Sequence, residues 1–459
     1  MISRAGPTTS RRRWIRPGVA PPWVVALAWF LVAVEGAAAV GVLAAREGSP
    51  PRRPSPAAVA PHGGVHAASD PEAFARQSAL RALLVRRASA LLTRDRAAFL
   101  AGVDPGTPFH AAQARLFDAL AQVPLADVSY DLDPARALEL PVATAERYGD
   151  PAWAATVRSH YALAGYDEAP TAQDRYLTFV RRGARWYLAS ESDFDSTGKR
   201  APRALWESGP VVALRTARVL VLGHPGSRAL MRRILAAADD AVPRVTAVWP
   251  DWSGRVVLLV PDSTAQLRQM IGQTGDLSRI AAVATADAGV DGGPPAGERV
   301  AVNPGPFRSL SGFGRGVVLR HEITHVATRD VTSPSTPYWL AEGFADYVGY
   351  RGSGTTVREA ARELGAEVAR GRVPARLPTE ADFAGDNPRL AQAYEMSWLA
   401  CRLLADRLGQ AGLVALYREV STAPGDPDAA FDAALRSRLH TGTAGFTAAW
   451  QAELRRQLG

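Results

Sequence analysis

His321-Glu322-Ile323-Thr324-His325, followed after sixteen residues by Glu342 in the run Tyr338-Trp339-Leu340-Ala341-Glu342-Gly343-Phe344-Ala345-Asp346-Tyr347, decides how this chain is read. An α-helix turns about 100° per residue, so side chains four apart stand one above the other on one face. His321 and His325 are therefore spaced to hold one metal ion between their imidazoles. Glu322 lies beside them on a different heading, suited to work on water at the metal instead of binding the metal itself. Glu342, on a following helix, completes a two-His, one-carboxylate set and leaves a fourth position open.

The surroundings support helices at both places. In Gly316 to Ala327 the apolar positions Leu319, Ile323 and Val326 keep helical spacing. Thr336 and Pro337 read as N-cap and first residue of the second helix. Asp346, one turn beyond Glu342, is placed to accept the second ring N–H of a ligating His and so fix its tautomer. Taken singly, each of these residues reads as well as a solvated Glu or a satisfied core His; the constellation carries the inference.

On His321 to His325 and on Trp339 to Tyr347, the sequence resembles the gluzincin metallopeptidases, and more narrowly the bacterial membrane-associated, aminopeptidase-like branch. The resemblance extends loosely over residues 205 to 459. It implies an α+β metallopeptidase domain with a mixed sheet, an active-site helix and a C-terminal helical lobe. It implies one Zn2+ on His321, His325 and Glu342, with Glu322 as general base and acid. The spacing from the second His to the Glu is shorter than in the best-known members, and the G-x-M-E-N exopeptidase signature is absent. Proteins of this group often supply an oxyanion-stabilising Tyr or His from beyond the metal ligands. Tyr394 is the candidate, with a packed aromatic as the alternative. The lone Cys401 reads as a buried thiol.

The 459-residue chain has room for two or three domains. Of its 53 basic residues only Lys199 is lysine, a bias of composition and not of function. The net charge of +8 comes without basic-aromatic stripes, and part of it lies in the N-terminal tail, so no nucleic-acid partner is expected. Residues 1 to 21 read as a basic cytoplasmic tail. Residues 22 to 45, interrupted only by Glu35, are long enough to cross a bilayer core of about 30 Å. Arg4, Arg11, Arg12, Arg13 and Arg16 outweigh the arginines that follow the span, which predicts an exported remainder. A cleaved signal peptide, giving a secreted protein, is the competing reading. The Pro-rich stretch 46 to 69 is a linker.

Residues 70 to 195 predict an accessory α+β domain. A long helix from Pro71 to about Leu100 and another over 109 to 120 precede β-like pieces, the last two forming a hairpin around Gly183. This order resembles cystatin-like or nuclear-transport-factor-like folds. Further on, Pro210 to Leu222 reads as one strand and Ser227 to Val242 as a helix stopped by Pro243. Arg299 to Asn303 reads either as the edge strand beside the cleft, to which an extended peptide would add, or as an ordinary inner strand. The function expected is a membrane-anchored, extracytoplasmic, zinc-dependent peptidase acting on a peptide or protein substrate. A metallopeptidase-fold binding or scaffold protein with little catalysis is the alternative; loss of Glu322 would mark it, and Glu322 is present.

Overall fold

The computed structural model describes residues 71–149, 151–272, 277–278, 280–287, 296–384 and 387–459. The expected span at 22 to 45 lies outside them. Among the described residues no helix is long and apolar enough to cross a membrane. The architecture is mixed α+β, built on two sheets.

The first sheet carries helix α1 (Pro71–Leu92), whose Leu80, Leu83, Leu84, Ala88 and Leu91 recur at helical spacing and are buried. The helix does not run on to Leu100 as its apolar pattern predicts. Arg94 takes a left-handed φ of 59°, and Asp95 then caps the short α2 (Arg96–Leu100) by accepting the Ala98 N–H. Thr107 and Pro108 start α3 (Pro108–Ala119) with a side-chain cap and a proline in the first turn. Four antiparallel strands follow in sequence order, β1 (Leu125–Leu138), β2 (Ala152–Leu163), β3 (Thr171–Arg182) and β4 (Arg185–Ser190), with α4 (Val142–Tyr148) between β1 and β2. Arg182 pairs with Arg185, so Gly183 and Ala184 form a two-residue turn, and Gly183 supplies the positive φ of 58° that such a turn requires. Ala155, Val157, Leu177 and Phe179 meet the leucines of α1 in one core.

The second sheet has the order β5-β6-β7-β9-β8. The expected single strand at 210 to 222 is a hairpin, β5 (Val212–Arg215) and β6 (Val219–Gly223), paired antiparallel. Strand β6, β7 (Val256–Val260) and β9 (Ala296–Val302) run parallel, while β8 (Ala282–Asp287) is antiparallel at one edge. The 299-to-303 segment is thus inner and β8 is the edge strand. Helix α5 (Arg228–Thr246) continues through Pro243 instead of stopping there. Ala241, Val242, Val245, Val248 and Trp249 are all buried on both sides of the proline, and that packing outweighs the roughly 3 kcal/mol a mid-helix proline costs.

Both faces of β6 and β7 are covered. Val219, Val221, Val256 and Leu258 pack with α5, while Leu220, Leu222 and Val257 join Leu163, Trp206 and Val123 in a core shared with the first sheet. Strands enclosed on both faces carry unbroken apolar runs, which is why Val-Leu-Val-Leu at 219 to 222 does not alternate.

After α6 (Thr264–Ile271) and α7 (Pro304–Ser309), the chain enters α8 (Gly312–Thr328) and α9 (Tyr338–Tyr350). Pro337 is the N-cap of α9, one residue later than predicted, because the Thr336 hydroxyl is engaged by the Ser333 N–H in the preceding turn. Ala361 breaks the next helical stretch into α10 (Val357–Ala360) and α11 (Arg362–Ala369). Next, α12 (Leu390–Thr422) is interrupted at Gly409 by a φ of 72°. Helices α13 (Pro427–Leu439) and α14 (Thr443–Leu458) complete the lobe. Trp249, just beyond α5, meets Phe344 of α9 and Tyr417 of α12 edge to face, and those two rings pack tilted against each other.

Candidate metal centre

Helix α8 is buried along its whole second half, from Val317 to Thr328, because α5, α9 and β8 surround it. Its polar residues there have nowhere to go but inward. His321 and His325 turn the same edge toward α9, with Nε2 atoms 3.0 Å apart. Glu342 of α9 meets them, its Oε2 lying 3.3 Å from His321 Nε2 and 3.5 Å from His325 Nε2. All three side chains are buried, and the three form a group that could hold a metal ion. Tetrahedral ligands at about 2.0–2.2 Å from a metal stand about 3.3–3.6 Å from one another, close to the triangle observed. Glu342 Oε2 has no hydrogen-bond partner among the described residues, the condition of an atom whose natural partner is a cation.

The supporting contacts fix the orientation of this set. His321 Nδ1 lies 2.8 Å from Asp346 Oδ1, so the proton sits on Nδ1 and Nε2 is turned to the centre. Arg320 Nε donates to the Gly349 carbonyl at 2.8 Å and ties α8 to α9 one turn further on. Tyr338, one turn before Glu342 on α9, has its phenol held well above its ordinary pKa by burial and by the Glu342 carboxylate. Spacing of four along α9 would have revealed it.

Electrostatics agree with the geometry. Burial opposes a charge on His321, yet the Asp346 and Glu342 carboxylates prevail and hold its pKa well above the usual range. His325 is pushed down by burial despite Glu342, which favours the neutral ring that ligates metal. Burial also works against an ionised Glu342, but the two imidazoles outweigh it and bring the carboxyl to about 2. Surroundings that draw a proton this strongly will draw a divalent cation for the same reason.

Glu322 is fully buried beside the three ligands. Its Oε2 accepts the Ala284 N–H of the edge strand β8 at 2.8 Å, while Oε1 has no partner among the described residues. Burial is the main cause that raises its pKa to about 8, with Glu342 adding to it and His321 opposing. Tyr394, on α12, is 6% exposed; its ring centroid is 6.4 Å from that of His321 and edge-on to Phe383 at 5.2 Å. Cys401 is buried, its Sγ 3.9 Å from the Leu340 carbonyl. The Ala284 contact joins residues distant in sequence, and no local pattern announces it.

The chain is therefore a mixed α+β protein with a buried His-His-Glu group able to hold a metal ion. No family model matches it, and no curated protein matches it.

Proposed function

We propose that the chain is a zinc-dependent peptidase of gluzincin type, anchored in the cell membrane by residues 22 to 45 and acting on peptides or proteins outside the cytoplasm. Its first unit is then a cystatin-like or nuclear-transport-factor-like accessory domain. One observation carries this reading: a ligand triangle of metal-site dimensions has a buried carboxylate beside it, and that carboxylate is fastened through one oxygen to an edge strand.

Held by His321, His325 and Glu342, zinc would acidify water and polarise the scissile carbonyl. The protein's own side chains divide the remaining work. The Ala284 N–H occupies Glu322 Oε2, which leaves Oε1 as the atom that takes the proton from the attacking water. Burial raises the proton affinity of Glu322, which suits a group that must accept this proton and then pass it to the departing amine. Tyr394, beside His321, donates to the oxygen that becomes negative in the tetrahedral intermediate. Because Ala284 turns its N–H away from β9, the outer edge of β8, which pairs with no further strand among the described residues, offers its remaining backbone groups to an extended substrate that adds as a further strand.

The test is peptide-library cleavage by the full chain with and without chelator, the products read by mass spectrometry. Glu322→Gln is expected to keep the metal and lose about 10³-fold in turnover, within the usual span for a general base. His325→Ala loses the metal, as elemental analysis of the purified protein will register. Wild-type turnover in Glu322→Gln removes Glu322 from its assigned role.

A further inference from the structure

We propose that Arg329 recognises an acidic group on the substrate, either an Asp or Glu side chain or a free terminal carboxylate. This rests on the peptidase reading and adds the substrate class. Arg329 is the C-cap of α8 and keeps helical angles, φ −57° and ψ −38°. It follows Glu322 by seven residues and His325 by four, so at about 100° per residue it points within about 20° of Glu322 and about 40° of His325. It extends the face that carries the catalytic carboxylate by two turns, about 10 Å along the helix.

The guanidinium is partly exposed, but Nε and Nη2 are enclosed and have no hydrogen-bond partner among the described residues. Three other enclosed arginines each reach at least one polar side chain, whereas Arg329 has two enclosed nitrogens without a partner among the described residues. Arg299 holds Asp167 through two contacts of 2.6 Å, Arg175 meets Glu207 at 2.5 Å, and Arg87 donates to Gln113. Leaving an enclosed cation unpaired is costly. The negative end of α8 offsets part of that cost without supplying a hydrogen bond to either nitrogen. Glu298 at the start of β9 acts on Arg329 electrostatically, yet forms no ion pair with it, and burial holds Glu298 toward its neutral form. A planar, unsatisfied fork of donors on the Glu322 face is the arrangement that binds an incoming carboxylate.

The experiment uses the full, metal-loaded chain on matched peptides in which Glu or Asp replaces Gln or Asn at each position around the cleaved bond, with free-acid and amidated C-termini. Wild type is expected to favour acidic peptides by at least about tenfold in kcat/KM, the scale of a charge-assisted contact. Arg329→Gln lowers kcat/KM for acidic peptides more than for neutral ones, through KM, while metal content stays unchanged. Arg329→Lys restores part of the acidic preference, and Arg329→Glu turns the preference toward basic peptides. Loss of the preference on amidation assigns the terminal carboxylate; persistence assigns a side chain. A wild type that cleaves without acidic preference overturns the proposal and leaves the peptidase reading intact. So does an Arg329→Gln that slows acidic and neutral peptides alike. Absence of any metal-dependent cleavage ends both.

Discussion

Glu322 and Asp346 are carboxylates that burial alone would hold neutral, and each is engaged by a single, directed contact. For Glu322 it is the Ala284 N–H, and for Asp346 it is His321 Nδ1, both at 2.8 Å. Asp346→Asn keeps an acceptor at that place and removes its charge. The expected result is a metal affinity lower by about 10- to 100-fold, with the fold intact, measured by competition with a chelator of known affinity. Unchanged affinity means the ring of His321 is held by packing alone. Local spacing is enough to pair His321 with His325 on one helix and Glu342 with Asp346 on the next, since a four-residue repeat governs each pair. Arg329 is on the same repeat, four residues after His325, but a lone arginine past the motif carries no sign that two of its nitrogens are enclosed and unpartnered.

Helix α9 approaches α12 so closely that a side chain does not fit between them. A Cβ on Gly343 would lie 2.3 Å from the Ser397 carbonyl oxygen and 2.9 Å from Cys401 Sγ, and the backbone atom cannot yield. Gly343 follows Glu342 directly, so separating these helices displaces a metal ligand. Gly343→Ala is expected to cost about 1–3 kcal/mol in stability and to weaken metal binding as well. Denaturant titration with and without added metal measures both effects. Full stability with full affinity would show that the two helices can shift without harm to the centre. Elements misjudged or left open from sequence share one cause. Pro243 stays helical because apolar contacts on both sides of it outweigh its local cost, and of the two readings of 299 to 303 the inner strand holds because β8 pairs outside it. Neither the contacts nor the pairing is a property of the segment concerned.

Across the whole molecule, the first unit is more than an appendage. Leu163 and Val123 share a core with Leu220, Leu222 and Val257 of the second sheet. Asp167, in the β2–β3 connection, grips Arg299 of β9 with both oxygens at 2.6 Å, and both side chains are buried. Arg299 is paired in register with Thr285, one residue along β8 from the Ala284 that holds Glu322. Asp167→Ala leaves Arg299 enclosed without its carboxylate and is expected to destabilise the protein by about 3–5 kcal/mol, read from the denaturation midpoint. If the midpoint is unmoved, the pair is not what joins the two units.

The sequence by itself determined the helical pairing of His321 with His325, the nearness of Glu322 and the hairpin at Gly183, because each depends on a backbone repeat or a turn within a few residues. Only the tertiary structure decided that Glu342 closes the triangle at 3.3 and 3.5 Å, that β8 holds Glu322, and that Asp167 reaches Arg299. Those contacts join separate segments, and their geometry follows from how helices and strands pack in three dimensions, which no spacing along the chain encodes.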